Sequence, residues 1–133
     1  MITAGGKNIT PSEIENTLRF SPFIKEAIVI ADRRRFVTAL IQIQFESVST
    51  WAEQQGLIYT HFRSLVELEP VRALIEREVD AVNAKMPQVQ QVRKFHLLVK
   101  ELDQDDGEVT ATMKVRRSVI SEKYADVIED LYA

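Results

Sequence analysis

The sequence predicts an α+β fold, a small antiparallel three-stranded sheet packed by helices, and three observations carry that expectation. A proline sits at the first position of a strongly signposted helix, Pro11 after Thr10. Two strand-patterned runs follow within the next thirty-five residues. Apolar side chains then recur at three-and-four spacing from Val71 to Met86, and again from Val119 to Leu131. The 133 residues, 45% of them apolar, suffice for one domain with a real core.

The first helix has the clearest start. Thr10-Pro11-Ser12-Glu13 reads as a capping box, with Thr10 as N-cap and Glu13 reaching back to its amide. Ile9 and Ile14 form the matching hydrophobic staple, Leu18 continues the face, and Ser21-Pro22 stops the helix. A strand follows from Ile24 to Ile30, ending in the apolar run Ala27-Ile28-Val29-Ile30. Val37, Ala39, Ile41, Ile43 and Phe45 then alternate with Thr38, Gln42 and Gln44, the pattern of a second strand. Asp32-Arg33-Arg34-Arg35 between them is short and polar, which predicts an antiparallel hairpin with a solvated tip.

Ser47 is placed to cap a helix carrying Val48, Trp51 and Ala52 that ends at Gly56. A short helix is expected through Phe62, Leu65 and Val66, and Pro70 opens a longer one, where Val71, Leu74, Ile75, Val79, Val82 and Met86 keep three-and-four spacing until Pro87 ends it. The third strand spans Val92 to Val99, with Phe95, Leu97 and Val99 on one side. Asp103-Gln104-Asp105-Asp106-Gly107 is a turn, and a final helix is expected from about Arg117 to Leu131.

Several chemistries are excluded. Without cysteine there is no disulfide, thiolate nucleophile or zinc ribbon, and a net charge of −3 argues against a generic nucleic-acid binder. The two histidines, His61 and His96, stand in no ligand spacing with carboxylates, and no G-x-S-x-G elbow occurs. Gly6-Lys7-Asn8 lacks the upstream glycine and following Ser/Thr of a phosphate loop. Asp103, Asp105 and Asp106 lack the glutamate of a calcium loop. Arg33, Arg34 and Arg35 leave anion binding, for example of a nucleotide phosphate, open on a weak signal.

Two segments remain. One runs Ile2-Thr3-Ala4-Gly5-Gly6-Lys7-Asn8-Ile9-Thr10-Pro11-Ser12-Glu13-Ile14-Glu15. The other, nearly a hundred residues later, runs Gly107-Glu108-Val109-Thr110-Ala111-Thr112-Met113-Lys114-Val115-Arg116-Arg117. Singly, each reads as a turn or strand entering a helix. Together and in this order they resemble the C-terminal lid of the adenylate-forming enzymes: acyl-CoA synthetases, luciferases and peptide-synthetase adenylation domains. In that family a G-x-x-I-x-P-x-E-I-E segment opens the lid, and a G-x-x-T-x-T-x-K-x-x-R segment carries its catalytic lysine. The wording G-G-K-N-I, V-S-T-W-A-E-Q-Q-G-L and T-A-T-M-K, with the helical insert from Trp51 to Met86, is most similar to the long-chain fatty acid–CoA ligase branch. Two positions depart: Ala111 stands where many relatives carry proline, and Met113 where short-chain relatives often carry glycine.

The resemblance implies that residues 1–133 form a single C-terminal lid domain. The ATP-binding loop, acyl pocket and hinge of such enzymes are not in the chain, so a partner N-terminal domain in the same polypeptide is expected. The implied reaction joins a fatty acid to ATP as acyl-adenylate, then transfers the acyl group to coenzyme A. ATP and magnesium would be held mainly by the N-terminal domain, the location would be cytoplasmic or peripheral to a membrane, and the chain alone would be inactive. Lys114 is implied as the catalytic residue of the first step, a compact cation between two anions. Gly5, Gly6, Lys7 and Asn8 are implied to line the pantetheine tunnel of the second, and no metal site is expected. Two other readings stay open: the lid of an aryl or short-chain acid–CoA ligase, and a non-catalytic α+β interaction module.

Overall fold

Residues 8–133 are described by the computed structural model, so Gly5, Gly6 and Lys7 lie outside the described residues. The first described helix, α1 (Pro11–Leu18), begins where the proline predicts. Its start is nevertheless not a capping box, because the Glu13 N–H donates to the Thr10 backbone carbonyl at 3.2 Å and Thr10 makes no side-chain cap. The staple holds: Ile9 and Ile14 are both buried in the same apolar cluster.

Strands β1 (Ile24–Ile30) and β2 (Val37–Ile43) pair antiparallel, with Val29 opposite Ala39. Three helices follow, α2 (Phe45–Gln54), α3 (Phe62–Val66) and α4 (Glu69–Asn83), then one short helical turn at Gln88–Gln90 and strand β3 (Val92–Leu97). The three-stranded α+β class stands, but the all-antiparallel sheet does not: β3 lies beside β2 and runs parallel to it. The reason is the connection. The helices between β2 and β3 carry the chain back across the sheet before it re-enters, the long crossover that parallel neighbours require. Helix α2 starts at Phe45 after Gln44, so Ser47 lies inside it and does not cap it. The final helix is two, α5 (Arg117–Lys123) and α6 (Ala125–Leu131), broken at Tyr124 (φ −105°, ψ 22°).

With order β1-β2-β3, β2 is the central strand and is buried along its whole length. Its two sides feed two cores. Val37, Ala39, Ile41 and Ile43 pack with Ala27, Val29, α1 and the crossover helices. Leu40 packs on the other face with Ile28, Ile30, Leu98, Leu102, Val109, Ile120 and Ile128. Thr38 and Gln42, polar members of the alternating pattern, are buried on this second face. Gln42 Oε1 accepts the Leu102 N–H at 2.9 Å, and Thr38 donates to the Tyr132 hydroxyl at 3.2 Å.

The arginine turn also differs from a solvated tip. Arg35 donates to the Tyr132 carbonyl at 2.7 Å, while Arg34 pairs with Glu129 and stacks over the Tyr132 ring at 4.9 Å. Two of the three arginines therefore fasten the end of α6 to the hairpin. His61 caps α3, its Nδ1 accepting the Ser64 N–H at 3.2 Å.

Candidate functional site

The segment between the aspartate turn and α5 is a small hairpin built by its own side chains. Val109 and Val115 form a single antiparallel bridge, and both pack on the second core. The Thr110 N–H donates to the Lys114 carbonyl at 2.8 Å, and the Met113 N–H to the Thr110 carbonyl at 2.8 Å. Thr110 Oγ1 accepts the Lys114 N–H at 3.1 Å and lies 3.1 Å from the Thr112 hydroxyl. The threonines of the motif thus hold the turn that precedes the lysine. Met113 closes that turn in the left-handed region (φ 62°), which is the conformation glycine takes most easily. The departure at Met113 therefore falls on a strained position.

Each foot of the hairpin is fastened by a buried carboxylate. At the first, Glu108 is fully buried and receives Lys123 at 3.0 Å, Lys100, and the Asp103 N–H at 3.1 Å. The Tyr124 hydroxyl lies 3.4 Å away. Burial pushes the Glu108 carboxyl up, but the lysine hydrogen bonds outweigh it and hold the group below its usual range. Burial pushes Lys100 down, and its bonds to Glu108 and Asp106 outweigh that in turn.

At the second foot, Arg117 Nη2 donates to both oxygens of Glu15 at 2.8 Å, and Nη1 donates to the Val29 carbonyl at 2.9 Å. The same carboxylate accepts the Val29 N–H at 2.7 Å. Glu15 ends the first sequence motif and Arg117 ends the second, so this pair physically joins segments 102 residues apart.

Beside the hairpin lies an open cleft of about 340 Å³, lined in part by Glu15, Arg19, Glu26, Lys114 and Arg117. Arg19 pairs with Glu26 and Arg117 with Glu15. Lys114 is exposed, and no hydrogen bond or ion pair among the described residues engages its ammonium. Among the described residues the cleft therefore presents one uncompensated cation, the arrangement for receiving an anion. Among the described residues no group of three His, Cys, Asp or Glu side chains could hold a metal ion.

Of the residues singled out from the sequence, Lys114 stands in the cleft. Asn8 is exposed and is not among the cleft's lining residues, and Gly5, Gly6 and Lys7 fall outside the described residues. Sequence reasoning missed Glu15, Arg117, Glu108, Lys100 and Lys123. The available signal was modest: opposite charges close the two motifs.

Comparison with known proteins agrees with the geometry. The family model described as AMP-binding enzyme C-terminal domain matches residues 1–133. The long-chain-fatty-acid–CoA ligase FadD15 of Mycobacterium tuberculosis is 35% identical over 133 residues, covering 99% of this chain and 22% of that protein. The long-chain-fatty-acid–CoA ligase ACSBG1 of Bos taurus is 31% identical, covering 99% of this chain and 21% of its own. The chain thus spans about a fifth of the length of these relatives. Among solved structures, the A-PCP didomain of carboxylic acid reductase from Segniliparus rugosus, in complex with AMP, superposes with a TM-score of 0.77 at 15% identity. That match covers 99% of this chain and 17% of the other. A fatty acyl CoA synthetase of Mycobacterium tuberculosis gives 0.58 at 17% identity, covering 96% and 20%. These two structures speak to the fold alone.

Proposed function

Because the chain belongs to the AMP-binding enzyme C-terminal domain family, we propose that it serves as the mobile catalytic domain of an AMP-forming long-chain fatty acid–CoA ligase. The observation that carries this reading is Lys114: an unpaired cation on a short, side-chain-pinned hairpin beside an open cleft. In the first half-reaction a fatty carboxylate attacks the α-phosphate of ATP, and two anions must approach. Lys114 Nζ stands between them and offsets the charge that builds on the phosphate oxygens as pyrophosphate leaves. A lysine suits this better than an arginine because its compact ammonium on a flexible stem reaches both oxygens.

In the second half-reaction coenzyme A displaces AMP, and the domain rotates to present its other motif. Gly5 and Gly6 then allow the pantetheine arm close to the backbone, with Lys7 and Asn8 beside it. The partner is an N-terminal domain of the same polypeptide, which binds most of ATP and the acyl chain. The chain by itself supplies half of each site and is inactive in adenylation. The long-chain assignment is supported by the names of the sequence relatives.

The test is made in the full-length enzyme, with the two half-reactions measured separately. Lys114→Ala is expected to slow acyl-adenylate formation by about 10²–10³. Thioester formation from supplied acyl-adenylate should stay near wild type, because the lysine has rotated away by then. Wild-type adenylation by the variant overturns the reading.

A further inference from the structure

We infer that Glu15 and Arg117 are positioning residues for Lys114, fastening the lysine-bearing arm to the free edge of the sheet. The inference rests on the reading of Lys114 given above and adds the device that aims it. A hairpin with a single bridge, Val109 to Val115, is too short to fix its own orientation. Lysine adds a long flexible stem, so the direction of its backbone decides where the ammonium can reach.

The reference frame is β1. Among the described residues, in the order β1-β2-β3, this strand is hydrogen-bonded to a neighbour strand on one side only. At Val29 the motif residues use both of its free backbone groups: Glu15 accepts the N–H at 2.7 Å and Arg117 donates to the carbonyl at 2.9 Å. Arg117 simultaneously donates to both Glu15 oxygens at 2.8 Å, so the guanidinium is fixed in position and in plane. Lys114 lies three residues before it on the same arm. Helix α1, the sheet edge and the lysine arm meet at this one carboxylate. Arg117 also lines the cleft that Lys114 faces. An arginine fork holds the carboxylate and the carbonyl from two nitrogens fixed in one plane, a rigidity that a lysine's single ammonium nitrogen does not supply. Because a displacement of ~1 Å in a catalytic group can cost about 10²-fold, loosening this fork should show in rate.

The experiment is a mutant cycle in the full-length enzyme, with both half-reactions and the melting temperature followed. Glu15→Gln keeps the shape but turns an acceptor into a donor facing Arg117 or the Val29 N–H. Arg117→Lys, at a side chain 40% exposed, keeps the charge and removes the fork with little risk to folding. Each is expected to lower kcat for adenylation about ten- to a hundredfold. KM and thioester formation should stay unchanged, and neither variant should lower adenylation further in a Lys114→Ala background. Loss of both half-reactions together, or a further loss on top of Lys114→Ala, overturns the inference, as does wild-type adenylation by Glu15→Gln and Arg117→Lys. If Lys114→Ala itself adenylates normally, the reading of Lys114 has failed and this inference goes with it.

Discussion

The two faces of the sheet are held by different chemistry. The face that packs against α1 to α4 is larger and almost wholly apolar, from Ile14 and Leu18 through Ile41 and Ile43 to Ile75 and Val79. The face that carries α5, α6 and the lysine hairpin buries fewer apolar residues and relies on polar ones. Thr38, Gln42 and Glu108 are buried there, each with a partner, and Glu15 is buried where the hairpin meets the edge of β1. No buried side-chain nitrogen or oxygen among the described residues lacks a hydrogen bond. Apolar burial is non-directional and holds a body together, whereas hydrogen-bonded carboxylates fix orientation. The first face supplies stability and the second supplies aim, which suits the role proposed for Lys114.

Four further experiments probe that contrast. The largest effect belongs to the apolar face: Ile75→Ala, fully buried on α4, should cost about 2–5 kcal/mol in denaturant unfolding, by lost burial plus a cavity. If Ile75→Ala costs less than 1 kcal/mol, the first face is not the stabilising one.

On the second face, replacing Lys100 and Lys123 together by Met strands the Glu108 carboxylate, and about 1–3 kcal/mol should be lost. The pH dependence follows from the same cluster. The folded protein holds the Glu108 carboxyl below its ordinary value of 4.5, so the unfolded chain takes up the proton more readily. The stabilisation is therefore complete above that ordinary value and is lost as pH falls through the lower folded value. The gap in melting temperature between wild type and Glu108→Gln should narrow as pH is lowered through this window. A gap that widens would contradict the clamp.

The smallest effect is local. Met113→Gly relieves a left-handed residue and should stabilise by no more than about 1 kcal/mol, readable as a small rise in melting temperature. Met113→Val, with a β-branched side chain at φ 62°, should lower it.

What could be read directly from the chain was local. Pro11, the Ile9–Ile14 staple and the spacing from Val71 act locally, so they locate α1 and the start of α4 within a residue or two, whereas α4 ends at Asn83, short of the expected Met86. The turn at Asp103–Gly107 belongs to the same class, and Gly107 does adopt a positive φ of 75°. The lysine motif was legible as a resemblance, because Lys114 and its flanking threonines act within five residues of one another.

What the tertiary structure decided was everything that depends on distant partners. The direction of β3 is set by how the crossover helices pack, since Val92 to Leu97 would read the same in either sense. Thr38 and Gln42 read only as polar members of an alternating pattern until Tyr132 and Leu102 fold over them. Tyr124 interrupts a stretch whose apolar spacing runs on through α5 and α6. The Glu15–Arg117 fork joins charges that sequence order leaves 102 residues apart. Periodicity reports which residues share a face, because that is a property of one element's backbone. It carries no information about which charge meets which across the fold, and here those meetings fasten both feet of the hairpin that carries Lys114.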